Sequence, residues 1–130
     1  MRHYFALVQK ETESAYGVQF PDLPNVFSAA DEQEDIVPLA VEALRFAAED
    51  GELPEPSGHD AVLSRESVRA ALAEGAYLVS VPLIENDAGI VRANVTFERG
   101  LLQAIDEVAR ARGLTRSAFL ATAARHEIEA

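Results

Sequence analysis

Residues 90–97 constrain the fold most strongly, because apolar and polar side chains alternate along them with a period of two. Such alternation predicts a β-strand with one buried face and one exposed face. A single strand leaves backbone groups unpaired on both edges, so we expect a second copy of the chain to pair with it as a two-stranded ribbon. The apolar face of this predicted strand comprises Val91, Ala93, Val95 and Phe97.

The polar face of the predicted strand carries Arg92, Asn94 and Thr96, which are side chains suited to reading base pairs. Arginine matches the two acceptors of guanine, asparagine matches the acceptor and donor of adenine, and threonine is tolerant. A two-stranded ribbon also fits the major groove of DNA. The alternative is an ordinary β-α-α segment whose polar strand face meets water. We favour double-stranded DNA as the partner, because the elements that follow agree with it.

Two helices separated by a glycine turn are predicted after the strand. Apolar residues at helical spacing predict an amphipathic helix over residues 98–112, and Gly113 is expected to end it. Thr115 is expected to cap a second helix, whose first N–H groups suit a phosphate oxygen. The predicted phosphate contacts are Thr115, Arg116 and Ser117. The predicted dimer core comprises Val91, Ala93, Val95, Phe97, Leu102, Ile105, Phe119 and Leu120.

The order R-x-N-V-T-F, amphipathic helix, G-L-T-R-S-x-F-L resembles the ribbon-helix-helix family of dimeric DNA-binding modules. The resemblance implies an antiparallel ribbon built from two chains and read in the major groove of operator DNA. It also implies a homodimer formed through this module, and it leaves open whether dimers assemble into a higher oligomer.

The net charge of −11 and the pI near 4.6 are unusual for a DNA-binding protein. The charge is divided unevenly along the chain. Residues 90–130 hold six arginines and five acidic residues, a balance of +1, whereas residues 1–89 hold five basic and seventeen acidic residues, a balance of −12. An acidic domain of this kind suits a basic protein partner, although high charge also keeps a protein in solution.

The first 84 residues predict a mixed domain of strands and helices. Residues 4–9 and 16–20 predict a β-hairpin, and two prolines within residues 21–25 break the pattern before a short third strand over residues 26–28. A helix is expected from residues 31–35 to Gly51, either kinked at Pro38 or beginning near it. The composition then predicts a loop over residues 52–59 and a short helix capped by Ser64. A strand is expected over residues 76–81, with Pro82 at its end or at a sheet edge.

This first domain is similar to the N-terminal domain of the HicB antitoxin family. The similarity rests on Y-G-V-Q-F-P-D-L-P at residues 16–24, F-S-A at 27–29, A-x-E-A-L at 40–44 and P-E-P-S at 54–57. It departs from the family pattern at Asn25, Ala30 and Pro38. The resemblance implies a degenerate RNase H-like domain that binds and blocks a small basic HicA-like ribonuclease toxin. The residues selected as toxin contacts are Tyr16, Phe20, Asp22, Asp31 and Glu32.

No catalytic residues, metal site or cofactor are expected. Cysteine is absent from the sequence, and His3, His59 and His126 are scattered without a spacing that suits metal binding. A nuclease would need clustered carboxylates on the first strand, and residues 4–9 contain none. No apolar run reaches the roughly 20 residues that span a bilayer, and the first ten residues turn polar too soon for a signal peptide. We therefore expect a cytoplasmic protein that contacts no membrane.

The sequence thus predicts an α+β protein with two domains. Residues 1–84 form a β-β-β-α-(α)-β toxin-binding domain, residues 85–89 form a linker, and residues 90–130 form a β-α-α ribbon-helix-helix domain. The predicted function is an antitoxin that inhibits its toxin and autoregulates transcription as a dimer on operator DNA. The alternative is a ribbon-helix-helix repressor whose first domain senses a small ligand.

Overall fold

The computed structural model describes residues 1–85 and 89–130, and these fall into two compact units. The first unit is built from Met1–Glu85, and the second extends from residue 89 through Ile128. Residues 86–88 of the predicted linker lie outside the described residues.

The first unit contains a four-stranded antiparallel sheet. Its strands are β1 (Arg2–Lys10), β2 (Tyr16–Phe20), β3 (Leu23–Ala30) and β4 (Tyr77–Leu83), in the order β3-β2-β1-β4. The predicted hairpin is confirmed, since β1 and β2 pair antiparallel with Leu7 opposite Gln19 and Lys10 opposite Tyr16. Strand β4 pairs antiparallel with the other side of β1, from Arg2 opposite Leu83 to Val8 opposite Tyr77.

Side chains alternate across β1 and divide the core between two faces of the sheet. Tyr4, Ala6 and Val8 belong to a cluster with Ile36, Ala40, Val41 and Leu44 of helix α1 (Ile36–Asp50). Leu7 belongs to a second, smaller cluster with Val62 of α2 (His59–Leu63) and Val68 and Ala71 of α3 (Glu66–Ala73). The sheet is therefore covered by α1 on one face and by the two short helices on the other.

Pro24 and Pro82 both lie on edge strands of the sheet. Strand β3 begins at Leu23 and includes Pro24, so it is longer than the predicted residues 26–28. Pro82 lies within β4, where it is opposite His3. Strands β3 and β4 form the two ends of the sheet, so an outward-facing proline there removes no hydrogen bond of the ladder.

Helix α1 begins at Ile36, after a 3-10 turn over Gln33–Asp35. Pro38 is consequently in the first turn, where no backbone hydrogen bond within the helix is lost. Of the two predicted outcomes for Pro38, the helix start close to this residue is the one observed.

The segment between α1 and β4 differs from its prediction. Helix α2 was not predicted, and the expectation that Ser64 caps the following helix is wrong. The Ser64 hydroxyl instead donates to the carbonyl oxygen of Ala61 at 2.7 Å, at the end of α2, and Arg65 occupies the N-cap position of α3. Gly75 follows α3 with φ +103°, a conformation that favours glycine.

The second unit contains helices α4 (Arg99–Ala111) and α5 (Arg116–Glu129). Gly113 has φ +69° at the turn between them, which confirms the predicted helix end. Thr115 is the N-cap of α5, and its hydroxyl accepts a hydrogen bond from the Ala118 N–H at 3.1 Å, as predicted. Residues 90–97 form neither helix nor strand in the single chain. The predicted ribbon would need a second chain to supply its pairing, so it stays a prediction.

Candidate DNA-binding and partner-binding sites

The apolar face of residues 90–97 is open to solvent. Val91 is 87% exposed and Val95 is 69% exposed, and Ala93 is exposed as well. The three side chains selected for base contacts, Arg92, Asn94 and Thr96, are also exposed. Polar and apolar side chains of the same short segment are thus both exposed in the single chain. Exposure of the two valines to water is unfavourable unless another surface covers them.

The two helices of the second unit bury only a small core of their own. Ile105 and Ala109 of α4 are buried, whereas Leu102, Phe119 and Leu120 are half-buried. Phe97 is half-buried too. The predicted dimer core thus divides into Ile105, which is already buried within one chain, and residues whose apolar side chains are partly or fully exposed in the single chain.

The arginine selected as a phosphate contact is already engaged within the chain. Nε and Nη2 of Arg116 donate to the two carboxylate oxygens of Asp106, both at 2.8 Å. The hydrogen bond from Arg116 lowers the pKa of Asp106, and the same hydrogen bond raises the pKa of Arg116. Both groups are at the surface, and Ser117 beside them is exposed. A phosphate would therefore have to compete with Asp106 for this guanidinium, and the predicted phosphate contact of Arg116 stays a prediction.

Two of the five residues selected as toxin contacts are part of the framework of the first unit. Phe20 is 1% exposed and packs in the cluster between the sheet and α1, so its ring is not available to a partner. The Asp22 side chain is 7% exposed and is fully engaged within the unit. Asp31 and Glu32 are exposed, and half-buried Tyr16 has the ammonium group of Lys10 4.8 Å from its ring centroid. Only these three stay candidates for contact.

Asp22 fixes the loop that precedes α2. Its carboxylate accepts hydrogen bonds from the Ser57 N–H at 2.7 Å, the Ser57 hydroxyl at 2.8 Å and Nη2 of Arg65 at 2.6 Å. Burial by itself raises the pKa of Asp22, but the hydrogen bonds from Ser57 and Arg65 outweigh it and hold the pKa below its ordinary value. The Tyr4 hydroxyl donates to the Pro54 carbonyl oxygen at 2.6 Å and fixes the same loop from the other side.

A groove between β3 and α1 was missed at the sequence level. It has a volume of about 580 Å³ and is lined by residues 25–28 of β3 and by the outer face of α1. Phe46 is 70% exposed there, and Leu39 and Ala43 also line the groove. Residues 39, 43, 46 and 47 follow the i, i+4, i+7, i+8 spacing of a second apolar stripe on α1, which is the signal that would have found it.

Within the described ranges 1–85 and 89–130, no three His, Cys, Asp or Glu side chains cluster as ligands for a metal ion. None of the helices in these ranges is both long and apolar enough to cross a membrane.

Exposed apolar and charged side chains on two small units are typical of a protein that acts by binding partners. The family model described as "HicB_like antitoxin of bacterial toxin-antitoxin system" matches residues 4–124. The chain therefore belongs to the HicB-like antitoxin family of bacterial toxin–antitoxin systems. It is an antitoxin and not an enzyme. No curated protein matches the chain.

Solved structures of antitoxins share the fold. The Burkholderia pseudomallei antitoxin HicB is 27% identical with a TM-score of 0.55, over 95% of this chain and 96% of that chain. The antitoxin HicB3 is 29% identical with a TM-score of 0.52, over 97% of each chain. A chain of the HicA3 and HicB3 toxin–antitoxin complex is 24% identical with a TM-score of 0.51, over 64% of this chain and 99% of that chain. An α+β fold with a four-stranded antiparallel sheet and two C-terminal helices is thus common to this chain and the antitoxin HicB3.

Proposed function

We propose that this chain is the antitoxin of a type II system in the cytoplasm, with one task for each unit. The first unit binds and inhibits a HicA-like ribonuclease toxin. The second unit dimerises as a ribbon-helix-helix module and binds operator DNA, so that the antitoxin represses its own transcription. The observation that carries the proposal is the family match over residues 4–124, which extends across both units.

The toxin-binding half is supported by charge and by a relative. Residues 1–89 have a balance of −12, which attracts a basic protein and repels nucleic acid. A chain that matches 64% of this one was crystallised in the HicA3 and HicB3 toxin–antitoxin complex. Inhibition requires only that the bound antitoxin cover the RNA-binding surface of the toxin. The antitoxin then contributes only a surface of complementary shape and charge, and it carries out no chemical step.

The DNA-binding half is supported by the second unit. Exposed Val91 and Val95 alternate with exposed Arg92, Asn94 and Thr96, so one face suits a second copy and the other suits base edges. Thr115 caps α5 after the Gly113 turn, and the N-terminus of a helix suits a phosphate oxygen. Pairing two such segments would bury the valines and present two copies of the polar face.

A repressor whose first unit senses a small ligand is the second candidate, and the groove beside α1 is large enough to favour it. However, a small-ligand site usually encloses its ligand, whereas Phe46 on this groove is 70% exposed. A surface of this kind fits a polypeptide better.

Co-expression with the product of the neighbouring gene tests the proposal. We expect a small basic HicA-like protein to co-purify with the tagged chain, and we expect the purified complex to shift a DNA fragment from the promoter of the gene pair. A chain that purifies alone and responds to a small metabolite on the same DNA would favour the ligand-sensing repressor.

A further inference from the structure

Helix α1 is apolar on two faces, and only one of them packs on the sheet. Ile36, Ala40 and Leu44 are buried in the main core cluster, whereas Leu39, Ala43 and Phe46 line the groove beside β3. A helix with a single core-facing side normally has a polar outer face, and a helix that is apolar on both sides is normally covered on both. The outer face of α1 is therefore built to be covered.

The other wall of the groove is an open edge of the sheet. Strand β3 is at one end of the strand order, and within the described residues no strand pairs with its outer edge. Val26 and Phe27 of β3 line the groove. Unpaired backbone groups along such an edge can pair with an extended segment of another polypeptide. Apolar side chains and free backbone groups are thus available along the same groove.

The charge on the groove favours a basic polypeptide over a second copy of this acidic chain. Glu42 and Asp50 of α1 line it, and the salt bridges found among residues 1–85 and 89–130 involve neither carboxylate. A second copy of the chain would bring a domain with a balance of −12 against another of the same sign. A cationic partner would instead gain from both carboxylates and from the long-range field of the domain.

We infer that the groove between β3 and α1 docks a basic polypeptide partner. An apolar side chain of the partner packs between Leu39 and Phe46, and lysine or arginine side chains meet Glu42 and Asp50. The identity of this partner as a HicA-like toxin rests on the proposed function, whereas the location of the surface and its chemistry rest on the groove itself.

Titration calorimetry with purified HicA-like toxin tests the surface, using the full chain and two pairs of variants. Phe46→Ala removes the exposed ring and is expected to raise Kd by about 30-fold or more, while Tyr77→Ala on the opposite sheet edge is expected to leave Kd unchanged. Glu42→Lys with Asp50→Lys is expected to raise Kd by about tenfold or more at low salt. Glu11→Lys with Glu74→Lys is its matched control, because both double variants change the net charge from −11 to −7.

The possible results distinguish a failure of the inferred docking surface from a failure of the proposed toxin-binding function. Groove variants that bind the toxin as tightly as the unmodified chain would overturn the inference and leave the proposed function intact. An unmodified chain that does not bind the toxin would contradict the proposed function as well. Groove variants with normal toxin binding but a smaller assembly in light scattering would assign the groove to a second copy, which also overturns the inference. Because Phe46 and the two carboxylates are all at the surface, we expect each variant to melt at a temperature close to that of the unmodified chain, which thermal melting checks.

Discussion

Replacing Asp22 by asparagine removes one charge and changes one acceptor into a donor at the centre of the loop network. The amide oxygen can still accept from the Ser57 hydroxyl and from Arg65, which both contact the same carboxylate oxygen. The amide nitrogen then faces the Ser57 N–H, so two donors meet where a 2.7 Å hydrogen bond existed. Hydrogen bonds to a charged group contribute about 1.5–3 kcal/mol each.

The lost charge on residue 22 costs less than it would in a buried pair, because the Arg65 side chain is partly exposed and water also solvates its guanidinium. We therefore expect Asp22→Asn to lower the free energy of unfolding of the first unit by about 2–3 kcal/mol. For a unit of this size, that corresponds to a fall in Tm of roughly 8–24 °C. Chemical denaturation at pH 7 followed by circular dichroism measures the change, and Asp31→Asn at an exposed position is the matched control.

The pH dependence gives the same prediction an independent test. Because the folded pKa of Asp22 is depressed, the stabilisation is present above the unfolded pKa, about 3.9 for aspartate, and is lost as the pH falls through the folded pKa. The difference in the free energy of unfolding between the unmodified chain and Asp22→Asn should be constant between neutral pH and about pH 5. It should shrink below about pH 4. Equal unfolding free energies at pH 7, or a difference that does not shrink in acid, would refute the account of the network.

Three further predictions concern the second unit. Arg92→Ala should weaken operator binding by about 1–3 kcal/mol and relax sequence preference at one position per half-site, while Arg92→Lys should lose the preference yet keep the salt dependence; unchanged gel-shift affinities would reject base contact by this residue. Asp106→Asn should release Arg116, raise DNA affinity and steepen the dependence of log K on log salt by up to about 0.9 per chain; an unaltered slope would mean that Arg116 does not reach phosphate. Val95→Asp should yield monomers in light scattering that no longer bind DNA but still bind toxin, whereas Thr96→Asp, with the same added charge on the polar face, should stay dimeric; a dimeric Val95→Asp protein would contradict burial of the valine face.

Local patterns predicted the regular elements well. The hairpin of β1 and β2 follows from two alternating runs joined by a short polar turn, and α4 and α5 follow from apolar spacing, Gly113 and Thr115. These elements carry their signals within a few residues, so a single sequence is enough to place them.

Features that depend on distant parts of the chain were not predictable. Helix α2 is only 5 residues long and contributes one fully buried side chain, Val62, which packs with Leu7 and Val68 and gives no periodic signal in the sequence. Asp22 resembles an ordinary turn aspartate in the sequence, and its partners Ser57 and Arg65 are 35 and 43 residues away.

Two of the predicted site residues, Phe20 and Arg116, are engaged within the chain, and only Phe20 had a local signal for this. Phe20 alternates with Val18 on β2, which already indicates a core position, so its selection as a toxin contact conflicted with the strand pattern. The pairing of Arg116 with Asp106 crosses the turn at Gly113 and depends on how α4 and α5 approach each other. Sequence spacing alone does not define that approach.

Inhibition of toxin ribonuclease activity by the full chain tests the central claim most directly. A fixed concentration of purified HicA-like toxin is titrated with the antitoxin, and cleavage of an RNA substrate is followed at each ratio. We expect cleavage to fall to zero when one copy of the first unit is present per toxin molecule, and we expect Val95→Asp protein to inhibit with the same stoichiometry. Cleavage that persists with the chain in excess would contradict it.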